Sequence, residues 1–267
     1  MKAMLEINKI YNENCIEGNG MCLIPDKSID MILCDLPYGI TNCKWDSVIP
    51  FDLLWQQYKR IIKNKSAIIL FGSEPFSSYL RMSNIKEYKY DWKWNKLNGG
   101  NPLIAKHRPL GIFEDIMVFG DGRVNYYPIM EEAKKENKRL RNKTYKQKTD
   151  LLPEFKSGNF KPSELHDENL RYPKNEIIVD SRKGELNALN RLHPTQKPIK
   201  LLEYLIKTYT NENNLILDNC IGAGTTAIAA INTNRDYIGF ELDKTYFDLA
   251  NERIEKHNSL KLRNENQ

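Results

Sequence analysis

The stretch Asp218-Asn219-Cys220-Ile221-Gly222-Ala223-Gly224-Thr225-Thr226-Ala227 decides the fold. An apolar run, Asn214 to Leu217 (NLIL), leads into it and reads as a buried strand ending at Asp218. Two glycines follow at i and i+2, where a tight turn lets the backbone approach a ligand at the start of a helix. Thr225 to Asn232 supplies that helix, and Tyr237 to Leu242 the next strand. Upstream, Leu201, Leu202, Leu205, Ile206 and Tyr209 share one helical face. Thr245 to about His257 reads as a last helix. Strands alternating with helices predict an α/β domain with a mostly parallel sheet.

The chemistry of the turn narrows its ligand. Gly222 to Ala227 fits the G-x-G-x-x-A fingerprint of a nucleoside-containing cofactor, and Glu241 and Asp243 end the following strand, placed for ribose hydroxyls. A dinucleotide would bring its pyrophosphate against Asp218, an unfavourable pairing of charges. S-adenosylmethionine carries an ammonium and a sulfonium and no phosphate, so a carboxylate at the turn favours it. By itself the turn is also compatible with a plain strand-helix corner.

Working outward, the N-terminal half repeats the alternation. Ile29 to Cys34 (IDMILC) and Ala67 to Phe71 (AIILF) read as buried strands. Between them Phe51, Leu54, Trp55, Tyr58, Ile61 and Ile62 recur at helical spacing. Tyr88 to Trp94 alternates as an outer strand does, and Ile116 to Phe119 is another strand. Just past the first of these strands lies Asp35-Leu36-Pro37-Tyr38-Gly39. Pro37 biases Leu36 to an extended conformation and so fixes its carbonyl. Asp35 and that carbonyl can accept both hydrogens of one –NH₂ group while Tyr38 stacks on the ring that bears it. A simple turn containing an aspartate is the competing reading. A third stretch, His193 to Pro198 (HPTQKP), opens the helix before the glycine turn; Pro198 suits a first helical turn, and Lys197 could hold a carboxylate.

The 267 residues allow one large domain or two small ones, and 40% hydrophobic with 28% charged residues is a globular balance. No long apolar run suggests a membrane span or a signal peptide, so a soluble, cytoplasmic protein is expected. The cysteines are five, an odd count with no C-x-x-C pair, which predicts neither disulfides nor a metal site. The net charge of +5 conceals a local excess. Between Ala133 and Thr149, eight basic residues (Lys134, Lys135, Lys138, Arg139, Arg141, Lys143, Lys146 and Lys148) face one acid, a local +7. This run lies in a polar stretch, residues 121–191, where apolar periodicity fades. A polyanion contact is one reading of it and a solvated helix or loop the other.

Taken together, DLPY, a variable basic region, HPTQKP, DNCIGAGTT and GFELD resemble, in that order, the β-class amino-methyltransferases of DNA. The resemblance covers nearly the whole chain outside the basic region. It implies a Rossmann-like methyltransferase fold: a mostly parallel seven-stranded sheet flanked by helices, circularly permuted. Residues 1–120 would form the catalytic half, 121–191 an inserted target-recognition region, 192–260 the cofactor half and 261–267 a tail. The implied activity is methyl transfer from S-adenosylmethionine to a base amine in double-stranded DNA of a prokaryotic cell or phage-infected host, within restriction-modification, with a homodimer as the common assembly. Catalysis would rest on Asp35, Leu36, Pro37 and Tyr38. The cofactor would be held by Asp35, Asn14, Cys15, His193, Thr195, Gln196, Lys197, Asp218, Asn219, Cys220, Gly222, Gly224, Thr225, Thr226, Glu241 and Asp243, and DNA by the eight basic residues. Asp at position 35 points to adenine N6, with cytosine N4 as the alternative. More distant readings are a dinucleotide-dependent oxidoreductase and a non-catalytic nucleic-acid binder.

The chain also departs from the family pattern. Leu36 replaces a proline, Asn14 stands where an acid is frequent, and Asn219-Cys220-Ile221 replaces Pro-Phe-Ala. Phe113-Glu114 matches a His-Glu position, which leaves Phe113 as a wall for the base pocket.

Overall fold

A computed structural model describes residues 5–39, 46–100, 103, 105–132, 169–181, 192 and 196–265. Two compact units are separable: Met1–Tyr127 with Asn175–Gln267, and Pro128–Lys174. The second is narrower than the 121–191 expected for the insertion. Its described part is a two-stranded antiparallel ladder, β6 (Glu131–Glu132) with β7 (Leu170–Arg171). The basic run from 133 to 149 lies outside the described residues.

The first unit is built on one sheet. Its strands are β1 (Lys9–Tyr11), β2 (Ile29–Cys34), β3 (Ile62–Gly72), β4 (Tyr88–Asn95), β5 (Phe113–Phe119), β8 (Glu176–Ile178), β9 (Leu215–Asp218) and β10 (Asp236–Phe240), in the order β1-β10-β9-β2-β3-β5-β4-β8. Only the pairings of β5 with β3 and β4 are antiparallel. The sheet has one strand more than the seven expected, because β8, drawn from the polar stretch, pairs with β4 along its outer side.

Helices cover both faces for a reason visible in the strands. Along β2 and β3, Met31, Leu33, Ile69 and Phe71 point one way and Ile32, Cys34, Ile68 and Leu70 the other, as the two-residue period of a strand requires. The first set packs under α3 (Ile199–Tyr209), α4 (Thr225–Asn232) and α5 (Lys244–Glu265) through Leu205, Ile228 and Ile254. The second packs under α1 (Phe51–Ile61) and α2 (Phe76–Ser83) through Leu54, Tyr58 and Leu80. Strands buried on both faces read as continuous apolar runs, which is why IDMILC and AIILF stood out. No helix among the described residues is long and apolar enough to cross a membrane.

Topology fixes where a ligand can sit. From β2 the chain moves to β3 on one side, and from β9 it moves to β10 on the other. The boundary between β9 and β2 is therefore a topological switch point, where open parallel sheets form a crevice beyond their carboxyl ends. The two strands are adjacent and parallel, so DLPY after β2 and DNCIGAG after β9 emerge side by side.

Candidate functional site

A cavity of about 730 Å³ opens along that carboxyl edge. Its wall takes residues from the ends of β1, β2, β4, β9 and β10, from the start of β5, and from the segment before α3. The start of β5 belongs there because that strand runs against its neighbour: Gly72 at the end of β3 pairs with Asp115. Lys197 belongs there because α3 leads into β9 through only a few residues, so the helix N-terminus returns to the strand's carboxyl end.

At the glycine turn, Gly222 (φ 54°) and Gly224 (φ 75°) both adopt the left-handed region that favours glycine. A Cβ on Gly224 would also meet the Ala250 Cβ of α5 at 3.2 Å. The turn is closed by its own side chains. Asp218 accepts from the Thr226 hydroxyl at 2.5 Å and the Cys220 amide at 3.1 Å. Burial pushes the Asp218 carboxyl up to about 7 against those contacts. Glu241 accepts from the Gly222 amide at 2.9 Å and from the Asp243 amide at 2.8 Å, and burial raises it as well.

The DLPY end is a cluster of charges. Lys197 Nζ lies 2.6 Å from Asp35 Oδ2 and 2.9 Å from Glu114 Oε1. The Tyr38 hydroxyl sits 2.8 Å from Asp35 Oδ1 and 3.0 Å from Glu114 Oε1. Lys96 reaches Glu114 Oε2 at 3.5 Å. Burial raises the Asp35 carboxyl, opposed by the Lys197 charge. At Glu114, Lys197 and Lys96 outweigh burial and hold the carboxyl below its usual range. The Tyr38 ring stacks on Phe76, with centroids 4.8 Å apart.

The cavity wall gathers Asp35, Leu36, Pro37, Tyr38, Asn14, Cys15, Gln196, Lys197, Asp218, Asn219, Cys220, Gly222, Thr225, Thr226 and Glu241. Gly224 stands just behind it as the N-cap of α4. His193 and Thr195, and the eight basic residues Lys134 to Lys148, lie outside the described residues.

Several of these side chains also have partners within the chain, and two further residues named from the sequence lie off the wall. Asp243 is not on the cavity wall; its Oδ1 accepts from the Thr245 and Tyr246 amides and caps α5, a common use of aspartate before a helix. Phe113 is half exposed and off the wall, while its neighbour Glu114 lines it, because successive strand residues face opposite sides. Lys197, read as a holder for a cofactor carboxylate, has its ammonium on two carboxylates of the chain itself. The Asn14 side-chain oxygen accepts from the Ile16 and Glu17 amides and so shapes its own turn. Thr225 accepts from Arg253 of α5, which ties the turn to the last helix.

Sequence reasoning missed Glu114, Lys96, Trp94 and Asn98 as wall residues. The available signal was the Phe113-Glu114 match to a His-Glu position, with Glu114 and Asp115 leading into the apolar Ile116 to Phe119. It also missed Tyr58, whose hydroxyl donates to Asn219 Oδ1 at 2.5 Å, while Asn219 Nδ2 reaches the Cys15 and Cys220 thiols at 3.5 Å each. That buried link holds the residue standing in for the family's proline. Among the described residues no group of His, Cys, Asp and Glu is arranged to hold a metal.

Comparison with known proteins gives this geometry a family context. A profile of the N6/N4 type, described as DNA methylase, matches residues 29–252. The chain is 26% identical over 249 residues to the orphan methyltransferase M.BamHII of Bacillus amyloliquefaciens, covering 88% of this chain and 91% of that protein. Among solved structures, the M1.HpyAVI–SAM complex aligns with a TM-score of 0.58 and 23% identity, over 92% of this chain and 98% of the other. The PvuII DNA methyltransferase, cytosine-N4-specific, aligns with a TM-score of 0.65 and 14% identity, over 92% and 86%. At these identities the two structures speak to the fold.

Proposed function

The chain is a DNA methyltransferase belonging to the N6/N4 DNA methylase family, and we propose that the amine it methylates is N6 of adenine in double-stranded DNA, in the cytoplasm of a prokaryotic cell. The methyl donor is S-adenosylmethionine, which supplies an electrophilic methyl group. The cavity fits it: about 730 Å³ lies within the range of cofactor sites, and the wall carries the carboxylates Asp218 and Glu241, which suit a ligand bearing positive charge. Asp218, Asn219, Cys220, Gly222, Glu241, Asn14 and Cys15 would hold it.

The observation that carries the reading is the adjacency of Asp35 to that cofactor wall, on neighbouring parallel strands. A base amine inside a duplex cannot enter such a cavity, so the nucleotide is flipped out, at a cost of roughly a few kcal/mol. Stacking on an aromatic such as Tyr38 returns about 1–3 kcal/mol. Asp35 and the Leu36 carbonyl accept the two N–H groups, which draws the nitrogen lone pair out of ring conjugation and directs it at the methyl group. Positioning and electrostatics supply most of the acceleration.

Asp35 supports adenine, because the family resemblance associates Asp at this place with N6. Cytosine N4 is the second reading and keeps the same acceptor geometry. Mass spectrometry of nucleosides from treated DNA separates them: N6-methyladenine is expected, and N4-methylcytosine alone would sink the assignment. The basic run from Lys134 to Lys148 supports phosphate contact. Neutralising Lys134, Lys135, Lys138, Arg139 and Arg141 is expected to weaken DNA binding and flatten its salt dependence. An unchanged slope would return the run to a solvated segment.

A further inference from the structure

Two carboxylates, Asp35 and Glu114, share one buried ammonium and one hydroxyl. Lys197 Nζ is within 2.9 Å of both, and the Tyr38 hydroxyl within 3.0 Å of both. Methyl transfer as proposed above uses Asp35 and leaves Glu114 without a task, although it is buried and reaches the same cavity. We propose that Glu114 is a positioning residue for the transfer: by holding Lys197 and turning the Tyr38 hydroxyl, it makes Asp35 the carboxylate that takes the amine's proton. This rests on the methyltransferase reading and deepens it.

A tyrosine hydroxyl has one hydrogen, so Tyr38 can donate to only one of its two carboxylate neighbours. Glu114 is flanked by Lys197 and Lys96 and stays ionised. The Tyr38 hydroxyl is within donating distance of both carboxylates, and in the proposal Glu114 accepts its hydrogen while the Tyr38 oxygen turns a lone pair toward Asp35. A protonated Asp35 can donate to that lone pair. Glu114 also offsets the Lys197 charge, which would otherwise leave Asp35 a weak proton acceptor. Like-charge repulsion between the two carboxylates acts in the same direction. Environments that push two neighbouring carboxyls apart assign their roles: the lowered one stays an anion and the raised one carries the proton.

The step balances. As the nitrogen lone pair forms the new N–CH₃ bond, the methyl–sulfur bond of the bound donor breaks, its electron pair stays on sulfur, which departs as a neutral thioether, and the nitrogen becomes cationic. An N–H bond then breaks, its electron pair remains on nitrogen, and the proton forms an O–H bond on Asp35. The other charged or titratable groups facing Asp35 are Asp218 at the end of β9 and Cys34 on its own strand, with Lys96 behind Glu114. Asp218 and Cys34 carry no positive charge, so Lys197 is the cation that Glu114 must offset.

The test uses the full chain, a DNA substrate and saturating S-adenosylmethionine, with single-turnover rates from pH 5 to 9 and cofactor affinity by titration. Glu114→Gln is expected to slow transfer about tenfold at pH 8, in keeping with loss of part of a general-base contribution. Its cofactor affinity should stay within about threefold of wild type, since the polar partners of Glu114 are Tyr38, Lys96 and Lys197. The acid limb of the rate should move to lower pH, because both the lost repulsion and the re-aimed Tyr38 hydroxyl favour ionised Asp35. Glu114→Asp should recover part of the rate. A Glu114→Gln rate within about twofold of wild type, or an acid limb that does not move, overturns the proposal. Lys197→Met gives a check that survives misfolding of the first variant: its acid limb should move up, and a downward move overturns the proposal. A wild-type protein that methylates no DNA would instead remove the reading beneath it.

Discussion

Asp35 and Asp218 end neighbouring parallel strands and line one cavity, yet they are satisfied in opposite ways. Asp218 takes a hydroxyl from Thr226 and an amide from Cys220, both within eight residues and both neutral. Asp35 takes the ammonium of Lys197, 162 residues away. Burial raises both carboxyls, but only at Asp35 does a cation oppose it. A carboxylate served by neutral, local donors closes a turn and can answer burial by holding a proton. A carboxylate served by a distant ammonium has a cation opposing burial in the reacting region, and here a second carboxylate, Glu114, shares that cation. The glycine turn is thus closed mainly by neutral partners, two of them local, and the acceptor end by a long-range ion pair.

The comparison breaks most visibly at Asp35. Asp35→Ala removes the acceptor of the amine hydrogens, while the hydrogen bonds that close the glycine turn run to Asp218 and Glu241. Transfer should fall by roughly 1,000-fold or more, the scale on which preorganised electrostatic groups act. Cofactor affinity, measured by titration, should change by less than about threefold. Loss of both together would mean that the two halves are not separable and that Asp35 supports the turn.

The same division explains what was legible in the sequence. The glycine turn was readable because its main parts lie between Leu215 and Glu241: the strand, the positive-φ glycines, the Thr226 hydroxyl and the acid beyond. DLPY was readable for its own chemistry. That Lys197 would sit on Asp35 was not, since nothing in HPTQKP states which strand end its helix returns to. Glu114 was hidden for the same reason: its place follows from β5 running antiparallel, a property of the pairing and not of the strand's composition. The strand β8 escaped because three residues with one buried side chain, Ile177, carry no period. The helix α2 escaped because FSSYLRMS makes only two turns. Asp243 was recognised as an acid at a strand end, but its backbone partners, the Thr245 and Tyr246 amides, made it a helix cap instead.

A smaller effect tests the other side of the comparison. The Asp218 carboxyl is pushed up to about 7 in the folded chain, against about 3.9 when exposed in the unfolded chain. Below pH 4 both states are protonated, and the group costs nothing. Between pH 4 and 7 the unfolded chain ionises while the folded one keeps its proton, so stability falls as pH rises; above 7 the loss is complete. Asp218→Asn cannot titrate and is free of this slope. It loses one acceptor for the Cys220 amide or the Thr226 hydroxyl, a pH-independent cost of about 1 kcal/mol. The variant's Tm relative to wild type should therefore start low at pH 5 and climb toward pH 8, by roughly 2–6 °C for a protein of this size. A cationic ligand beside the turn favours the ionised carboxylate, so saturating S-adenosylmethionine should flatten the climb. A Tm difference that stays constant over this range would show Asp218 ionised throughout, as a carboxylate with a cation of its own would be, and the contrast with Asp35 would fall.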